Sequence, residues 1–142
     1  MILKANNVPI TILLVEDDDV DVMNVKRAFK KNEIENPLIL AGNGLEALEK
    51  LRNPDLLPKP KIILLDINMP KMNGIEFLKE LRADDQLKSI SVFIMTTSND
   101  DADKFDAYNL NVAGYILKPL SFNDFVSSVK NLTAYWSLIE FN

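Results

Sequence analysis

The stretch Ile62-Ile63-Leu64-Leu65-Asp66-Ile67-Asn68-Met69-Pro70 decides the fold of this chain. Its leading apolar residues predict a strand buried on both faces, and Asp66 stands where that strand should end. Pro70 and the pair Asn73-Gly74 predict an immediate turn into a loop. In an open α/β sheet, an acid at the carboxyl end of a buried strand lies at the crevice where ligands bind. Taken alone, Asp66 could equally well stop the strand or cap the next helix.

The composition is that of one globular domain. At 142 residues the chain can bury a single core, and no internal repeat or low-complexity run divides it. A net charge of −5 without a basic cluster argues against direct binding to nucleic acid. Cysteine and histidine are absent, which excludes disulfides, thiol nucleophiles and histidine-based acid–base chemistry. No segment is apolar enough for a signal peptide or membrane insertion, and the lack of cysteine fits a cytoplasmic protein.

Four further apolar segments resemble the central strand, and amphipathic segments separate them. The predicted strands are 10–15, 38–41, 61–66, 91–95 and 112–117. The predicted helices are 19–31, a segment through Leu45, Leu48 and Leu51, then 74–83, about 100–109, and one that begins at Ser121. This alternation predicts an α/β fold with a doubly wound, five-stranded parallel sheet and five helices on both faces. We expect one domain over 1–142, with a loose lead-in at 1–9 and a tail at 138–142.

Chemically active side chains stand at the carboxyl ends of four predicted strands. In chain order these are Glu16-Asp17, Asp66, Thr96 and Lys118. Because parallel strands place their carboxyl ends along one edge, we expect these groups to converge. Two carboxylates about 4 Å apart repel by roughly 4 kcal/mol at an effective dielectric of about 20, and either a divalent cation or protonation would relieve that repulsion. Oxygen-only ligands favour Mg²⁺, with Mn²⁺ as the alternative.

This set of groups suits phosphoryl transfer. An ionised Asp66 can attack a phosphoryl group and form an aspartyl-phosphate, while a metal ion, Lys118 and Thr96 stabilise the charge on the transferred group. Each residue also has a plainer interpretation: Thr96 as a strand former, Lys118 as a solvated loop residue, and the acids from Asp17 to Asp19 as a helix N-terminus. Their joint occurrence at matched strand ends favours the chemical interpretation.

The same residues resemble the motifs of the receiver domains of two-component response regulators. Leu14-Val15-Glu16-Asp17-Asp18 resembles the acidic metal motif of that family. Leu65-Asp66-Ile67-Asn68-Met69-Pro70, followed by Asn73-Gly74, resembles its phosphoacceptor motif. Thr96 matches its hydroxyl position, and Gly114-Tyr115-Ile116-Leu117-Lys118-Pro119 resembles its lysine motif. The match covers nearly the whole chain and implies a flavodoxin-like sheet with strand order 2-1-3-4-5.

The resemblance also implies a role for each motif residue. Asp66 would accept a phosphoryl group from a sensor histidine kinase or a phosphotransfer protein. Thr96 and Lys118 would bind the phosphoryl oxygens, and Tyr115 would be the aromatic residue whose rotamer accompanies signalling. The implied Mg²⁺ ligands are Glu16 (directly or through water), Asp17, Asp66 and the main-chain carbonyl of Asn68.

Two departures and one finer resemblance concern regulation. Glu16 stands where many members have Asp, which would make its metal contact indirect. Thr97 stands where a smaller residue is frequent, and its larger side chain would narrow access to an acyl phosphate. The segment Thr96-Thr97-Ser98, the proline-bearing loop at 53–60 and the aromatic tail are similar to stand-alone receivers that partner bacterial phytochromes. Dimers of that subgroup form through the fourth helix, fifth strand and fifth helix, so we predict a homodimer. A tail that packs back on its own domain is the alternative.

Four functions compete for this sequence. The leading one is a phosphorylation-switched signalling module that contacts a downstream protein target and is not an enzyme. Because the chain stops after the fifth predicted helix, we expect no DNA-binding or enzymatic output domain. The early Met1 and the compact finish favour a whole protein over an excised domain. A phosphatase would need a second acid two residues after the nucleophile, where Asn68 stands. A receiver that binds partners without phosphorylation is a third hypothesis. Flavin binding is disfavoured because the first strand leads into acids.

Overall fold

The computed structural model of this chain is a parallel β-sheet covered by helices on both faces. It describes residues 2–5, 7–53, 55–57, 61–66, 74–96, 110–117 and 121–136. The strands are β1 (Lys4–Ala5), β2 (Val8–Pro9), β3 (Thr11–Val15), β4 (Leu38–Ala41), β5 (Lys61–Asp66), β6 (Ser91–Thr96) and β7 (Gly114–Leu117). The helices are α1 (Asp19–Lys31), α2 (Gly44–Leu51), α3 (Gly74–Ala83) and the C-terminal helix (Phe122–Trp136).

Five of the strands form one sheet in the order β4-β3-β5-β6-β7, and every neighbouring pair is parallel. This confirms the doubly wound sheet and the strand order 2-1-3-4-5. All residues of β3 and β5 are buried, as their continuous apolar sequences predict. The helix predicted at about 100–109 lies outside the described residues. None of the helices in the described ranges is both long and apolar enough to cross a bilayer.

Each central strand contributes to two hydrophobic cores, because successive side chains of a strand point to opposite faces. The strand residues that pack with α2 and α3 include Leu13, Val15, Ile63, Leu65, Val92 and Ile94. Those that pack with α1 and the C-terminal helix include Ile12, Leu14, Ile62, Leu64, Phe93 and Met95. The sheet is therefore held from both sides, and the carboxyl ends of its strands are fixed relative to one another.

Within the segment 1–9, which we predicted as a loose lead-in, the described residues 2–5 and 7–9 include two short strands. β1 and β2 pair as a short antiparallel hairpin. The buried side chain of Asn36 fastens this hairpin to the domain. Its Oδ1 accepts a hydrogen bond from the Leu3 N–H at 2.8 Å, and its Nδ2 donates to the carbonyls of Leu3 and Ile10 at 2.7 and 2.8 Å. One buried amide thus accepts one hydrogen bond and donates two, and these three bonds hold the segment against the domain.

The start of α2 is stabilised by a reciprocal cap. The N-cap residue Asn43 accepts a hydrogen bond from the Glu46 N–H at 2.9 Å, and Glu46 accepts one from the Gly42 N–H at 2.9 Å. Glu46 also pairs with Lys50 at 3.0 Å, and Lys50 donates to the carbonyl of Leu40 on the edge strand β4. The bond from Gly42, followed by the bond from Lys50, lowers the pKa of Glu46 from its ordinary value near 4.5.

We expect Glu46→Gln to lower the free energy of unfolding at neutral pH by about 0.5 kcal/mol, a modest value because the side chain is 42% exposed and screened by water. A carboxylate whose pKa is lowered by folding stabilises the protein above its unfolded-state pKa and loses that effect as the pH falls through the folded-state pKa. The wild-type protein and the variant should therefore converge in acid. Urea unfolding on both sides of this range measures the difference.

Glu49→Gln is the control for this prediction, since it removes the same charge from an exposed position of α2. We expect it to have a smaller effect at neutral pH than Glu46→Gln. A difference between wild type and Glu46→Gln that persists unchanged in acid would contradict the assignment to the Glu46 charge.

Candidate functional site

The register of the sheet brings the acids of two strands together. Val15 at the end of β3 lies beside Leu65 of β5, so the next residues along each chain, Glu16 and Asp66, are neighbours. Asp17 follows in the loop that leads into α1. The convergence expected from the sequence is thus present for all three acids. It arises because β3 and β5 are adjacent parallel strands whose carboxyl ends lie side by side.

The three carboxylates form a compact cluster. One oxygen from each of Glu16, Asp17 and Asp66 lies within 4.8 Å of the others. Glu16 and Asp66 are buried, at 4% and 3% exposure, whereas Asp17 is exposed. At about 5 Å and an effective dielectric of about 20, each pair of charges repels by roughly 3 kcal/mol. A cation at this position would offset that repulsion.

The loop from Glu16 to Asp18 is held by hydrogen bonds that its main-chain N–H groups donate. The Glu16 N–H donates to the Ala41 carbonyl at 2.9 Å, and the Asp18 N–H donates to Glu16 Oε1 at 3.2 Å. Asp18 is the N-cap of α1 and accepts hydrogen bonds from the N–H groups of Val20 and Asp21 at 2.8 and 3.2 Å. From the sequence, the run of acids indicated a helix start, but it did not indicate the bond between Asp18 and Glu16.

The remaining predicted residues are described in part. Thr96 ends β6, and its backbone lies beside that of Leu117, the residue that precedes Lys118. Tyr115 is half-buried and packs against the core on the α2 and α3 face. Asn68, Thr97 and Lys118 lie outside the described residues, as does the side chain of Thr96. The backbone therefore places the ends of β6 and β7 side by side at the same sheet edge as the acids.

The donor set fits a hard divalent cation. Carboxylate oxygens are the ligands that Mg²⁺ and Mn²⁺ prefer, and each of the three acids has an oxygen facing the same small volume. Two of these acids are buried, so the site is partly withdrawn from water and its electrostatic interactions are strengthened. A carboxylate in such a place can hold a metal ion or attack an electrophile.

Comparisons with known proteins agree with this geometry. The family described as "Response regulator receiver domain" matches residues 12–130. Response regulator Rcp1 of Synechocystis sp. is 35% identical over 134 residues, which are 92% of this chain and 91% of Rcp1. The structure of the Mn²⁺-bound form of Rcp1 superposes with a TM-score of 0.79 at 33% identity, covering 94% of this chain and 99% of that one.

A second solved structure extends the likeness to the phytochrome-linked regulators. The phosphorylated cyanobacterial phytochrome response regulator RcpA has a TM-score of 0.77 at 31% identity, covering 92% of this chain and 96% of that one. The resemblance inferred from the motifs is confirmed. The chain belongs to the receiver domains of two-component response regulators, a family of signalling switches whose function is to accept a phosphoryl group on an aspartate.

Proposed function

We propose that Asp66 is the phosphoacceptor of this receiver and that it works with Mg²⁺ held by Glu16, Asp17, Asp66 and the main-chain carbonyl of Asn68. The observation that carries this proposal is the cluster of three carboxylates at the carboxyl ends of β3 and β5. Asp66 is the member of the cluster that ends the central strand, with neighbouring strands on both sides. A phosphoryl donor can therefore approach the buried carboxylate only from the edge of the sheet where the strands end.

The reaction exchanges one bond to phosphorus for another. A carboxylate oxygen of Asp66 bonds to the phosphorus atom while the bond from phosphorus to the imidazole nitrogen of a kinase phosphohistidine breaks. The electron pair of the broken bond stays with the imidazole, and the product is an aspartyl-phosphate. Bound Mg²⁺ would neutralise charge on the phosphoryl oxygens. We assign Thr96 and Lys118 to the same oxygens, and Tyr115 to the switch that follows.

The test is intact-mass spectrometry of the wild-type protein after incubation with acetyl phosphate, with Mg²⁺ or with EDTA. We expect a single phosphoryl adduct that forms only with Mg²⁺ and that hydroxylamine removes, as it does from acyl phosphates. The absence of an adduct under both conditions would favour a receiver that binds its partners without phosphorylation. An adduct that forms equally well in EDTA would exclude the metal from the proposal.

The partners follow from this chemistry. We propose that the phosphoryl donor is a sensor histidine kinase or a phosphotransfer protein, and that the phosphorylated form contacts a downstream protein. We place the exchange in the cytoplasm, where ATP supplies the phosphoryl group to such kinases. A phosphatase that acts on other substrates is not favoured. Such an enzyme needs an acid at position 68 to protonate the leaving group, and this chain has Asn there.

We also propose a homodimer formed through β7, the C-terminal helix and the segment at about 100–109. Within the described sheet, β7 pairs with β6 on one side only, so its outer edge is available to another element. We expect sedimentation equilibrium to give the dimer mass at high protein concentration, with phosphorylation shifting the dissociation constant. A monomer mass at high concentration in both phosphorylation states would contradict the dimer.

A further inference from the structure

The loop that carries two of the proposed metal ligands is anchored by a residue that is not one of them. We propose that Asp18 is a positioning residue for the metal site, and that its side chain holds Glu16 and Asp17 in place by capping α1. This inference rests on the proposed Mg²⁺ site. Asp18 itself is not one of the proposed metal ligands.

Asp18 links the metal loop to α1 through four hydrogen bonds. Its N–H donates to Glu16 Oε1 at 3.2 Å, and its carbonyl accepts from the Val22 N–H at 3.0 Å. Its Oδ1 accepts from the N–H groups of Val20 and Asp21 at 2.8 and 3.2 Å. The two bonds to Oδ1 fix the backbone of Asp18 on the first turn of the helix. That backbone then fixes the carboxylate of Glu16.

Asp17 depends on the same anchor. Its neighbour on one side, Glu16, is tied to β4 by the bond from its N–H to the Ala41 carbonyl, and its neighbour on the other side, Asp18, is tied to α1. The exposed Asp17 is thereby held between two fixed residues. Without the Asp18 side chain, the attachment to α1 keeps only the bond from the Val22 N–H to the Asp18 carbonyl, and a metal ion has to order the loop as it binds. Replacing a group that orients metal ligands typically lowers metal affinity by roughly ten- to a hundredfold.

A through-space effect of the Asp18 charge is the competing explanation, and three substitutions separate the two. Asp18→Asn keeps an oxygen that can cap the helix but removes the charge. Asp18→Ala removes the capping oxygen, and alanine is a poor N-cap residue. Asp19→Ala is the matched control, because it removes a negative charge from the next, exposed residue and leaves the cap in place.

The measurement is the dissociation constant for Mg²⁺ by isothermal titration calorimetry, with Mn²⁺ titrations followed by electron paramagnetic resonance as a second readout. We expect Asp18→Ala to weaken Mg²⁺ binding by about five- to tenfold, and Asp18→Asn and Asp19→Ala by less than about twofold. Circular dichroism and thermal unfolding without metal establish that each variant is folded.

The outcomes distinguish this inference from the function on which it rests. If wild type binds Mg²⁺ and Asp18→Ala binds it equally well, the positioning role is wrong and the metal site stands. If Asp18→Asn loses as much affinity as Asp18→Ala, the charge acts and the cap does not. If wild type itself binds neither Mg²⁺ nor Mn²⁺, the proposed metal site fails together with this inference.

Discussion

Asp66→Asn is expected to abolish formation of the phosphoryl adduct. The amide is a poor nucleophile and carries no charge, whereas the native carboxylate can attack phosphorus. The substitution is nearly isosteric, so the packing around β5 is kept. It also removes one of the three mutually repelling charges of the carboxylate cluster. Intact mass after incubation with acetyl phosphate and Mg²⁺ measures the loss.

Asp85→Asn is the control for the substitution at Asp66. The Asp85 side chain is 93% exposed and lies in the loop after α3, away from the carboxylate cluster. This variant should form the adduct as wild type does. An adduct of full yield in Asp66→Asn would contradict the assignment and direct attention to a hydroxyl acceptor. Thermal unfolding of both variants establishes that a lost adduct reflects chemistry and not a lost fold.

Arg82→Met is expected to cause a large loss of stability, of about 2–4 kcal/mol in the free energy of unfolding. The guanidinium of Arg82 donates to four main-chain carbonyls at distances of 2.8–3.0 Å. These carbonyls belong to Lys88, Ile90, Leu110 and Asn111. Methionine fills much of the same volume but leaves partly buried carbonyls without their donor. Burial lowers the pKa of Arg82, yet a guanidinium stays charged in proteins.

Arg82 joins the loop before β6 to the segment that leads into β7. Its loss should therefore loosen the amino ends of both strands and, with them, the strand that carries Tyr115. Arg82→Lys should recover part of the stability, because an ammonium group keeps the charge but cannot reach four acceptors in the geometry of a planar guanidinium. Urea unfolding at neutral pH measures each variant.

Arg52→Met is the control for the substitution at Arg82. Arg52 is 52% exposed and makes one ion pair, with Asp84 at 3.4 Å, so its removal should cost less than about 1 kcal/mol. Equal losses for Arg52→Met and Arg82→Met would contradict the role given to the four carbonyl contacts. The comparison separates the general effect of removing a positive charge from the specific effect of removing a shared donor.

The sequence by itself determined the sheet and the acids at its edge. Buried parallel strands are continuous apolar runs, so the predicted strands 38–41 and 61–66 coincide with β4 and β5. Helix α3 was likewise predicted at its observed limits, 74–83. Once the strands are parallel, their carboxyl ends must share an edge, and the meeting of Glu16, Asp17 and Asp66 follows from topology alone.

The tertiary structure alone decided how the loops and the N-terminus are held. Asn36 binds Leu3, which lies 33 residues earlier and directly precedes the hairpin, and Arg82 binds the carbonyl of Leu110, 28 residues later. Asp18 likewise meets Glu16 through a main-chain N–H. Such contacts join a side chain to a main-chain group, and nearly every residue type carries both an N–H and a carbonyl. The sequence therefore does not indicate which residue supplies the main-chain partner, and the folded chain decides it.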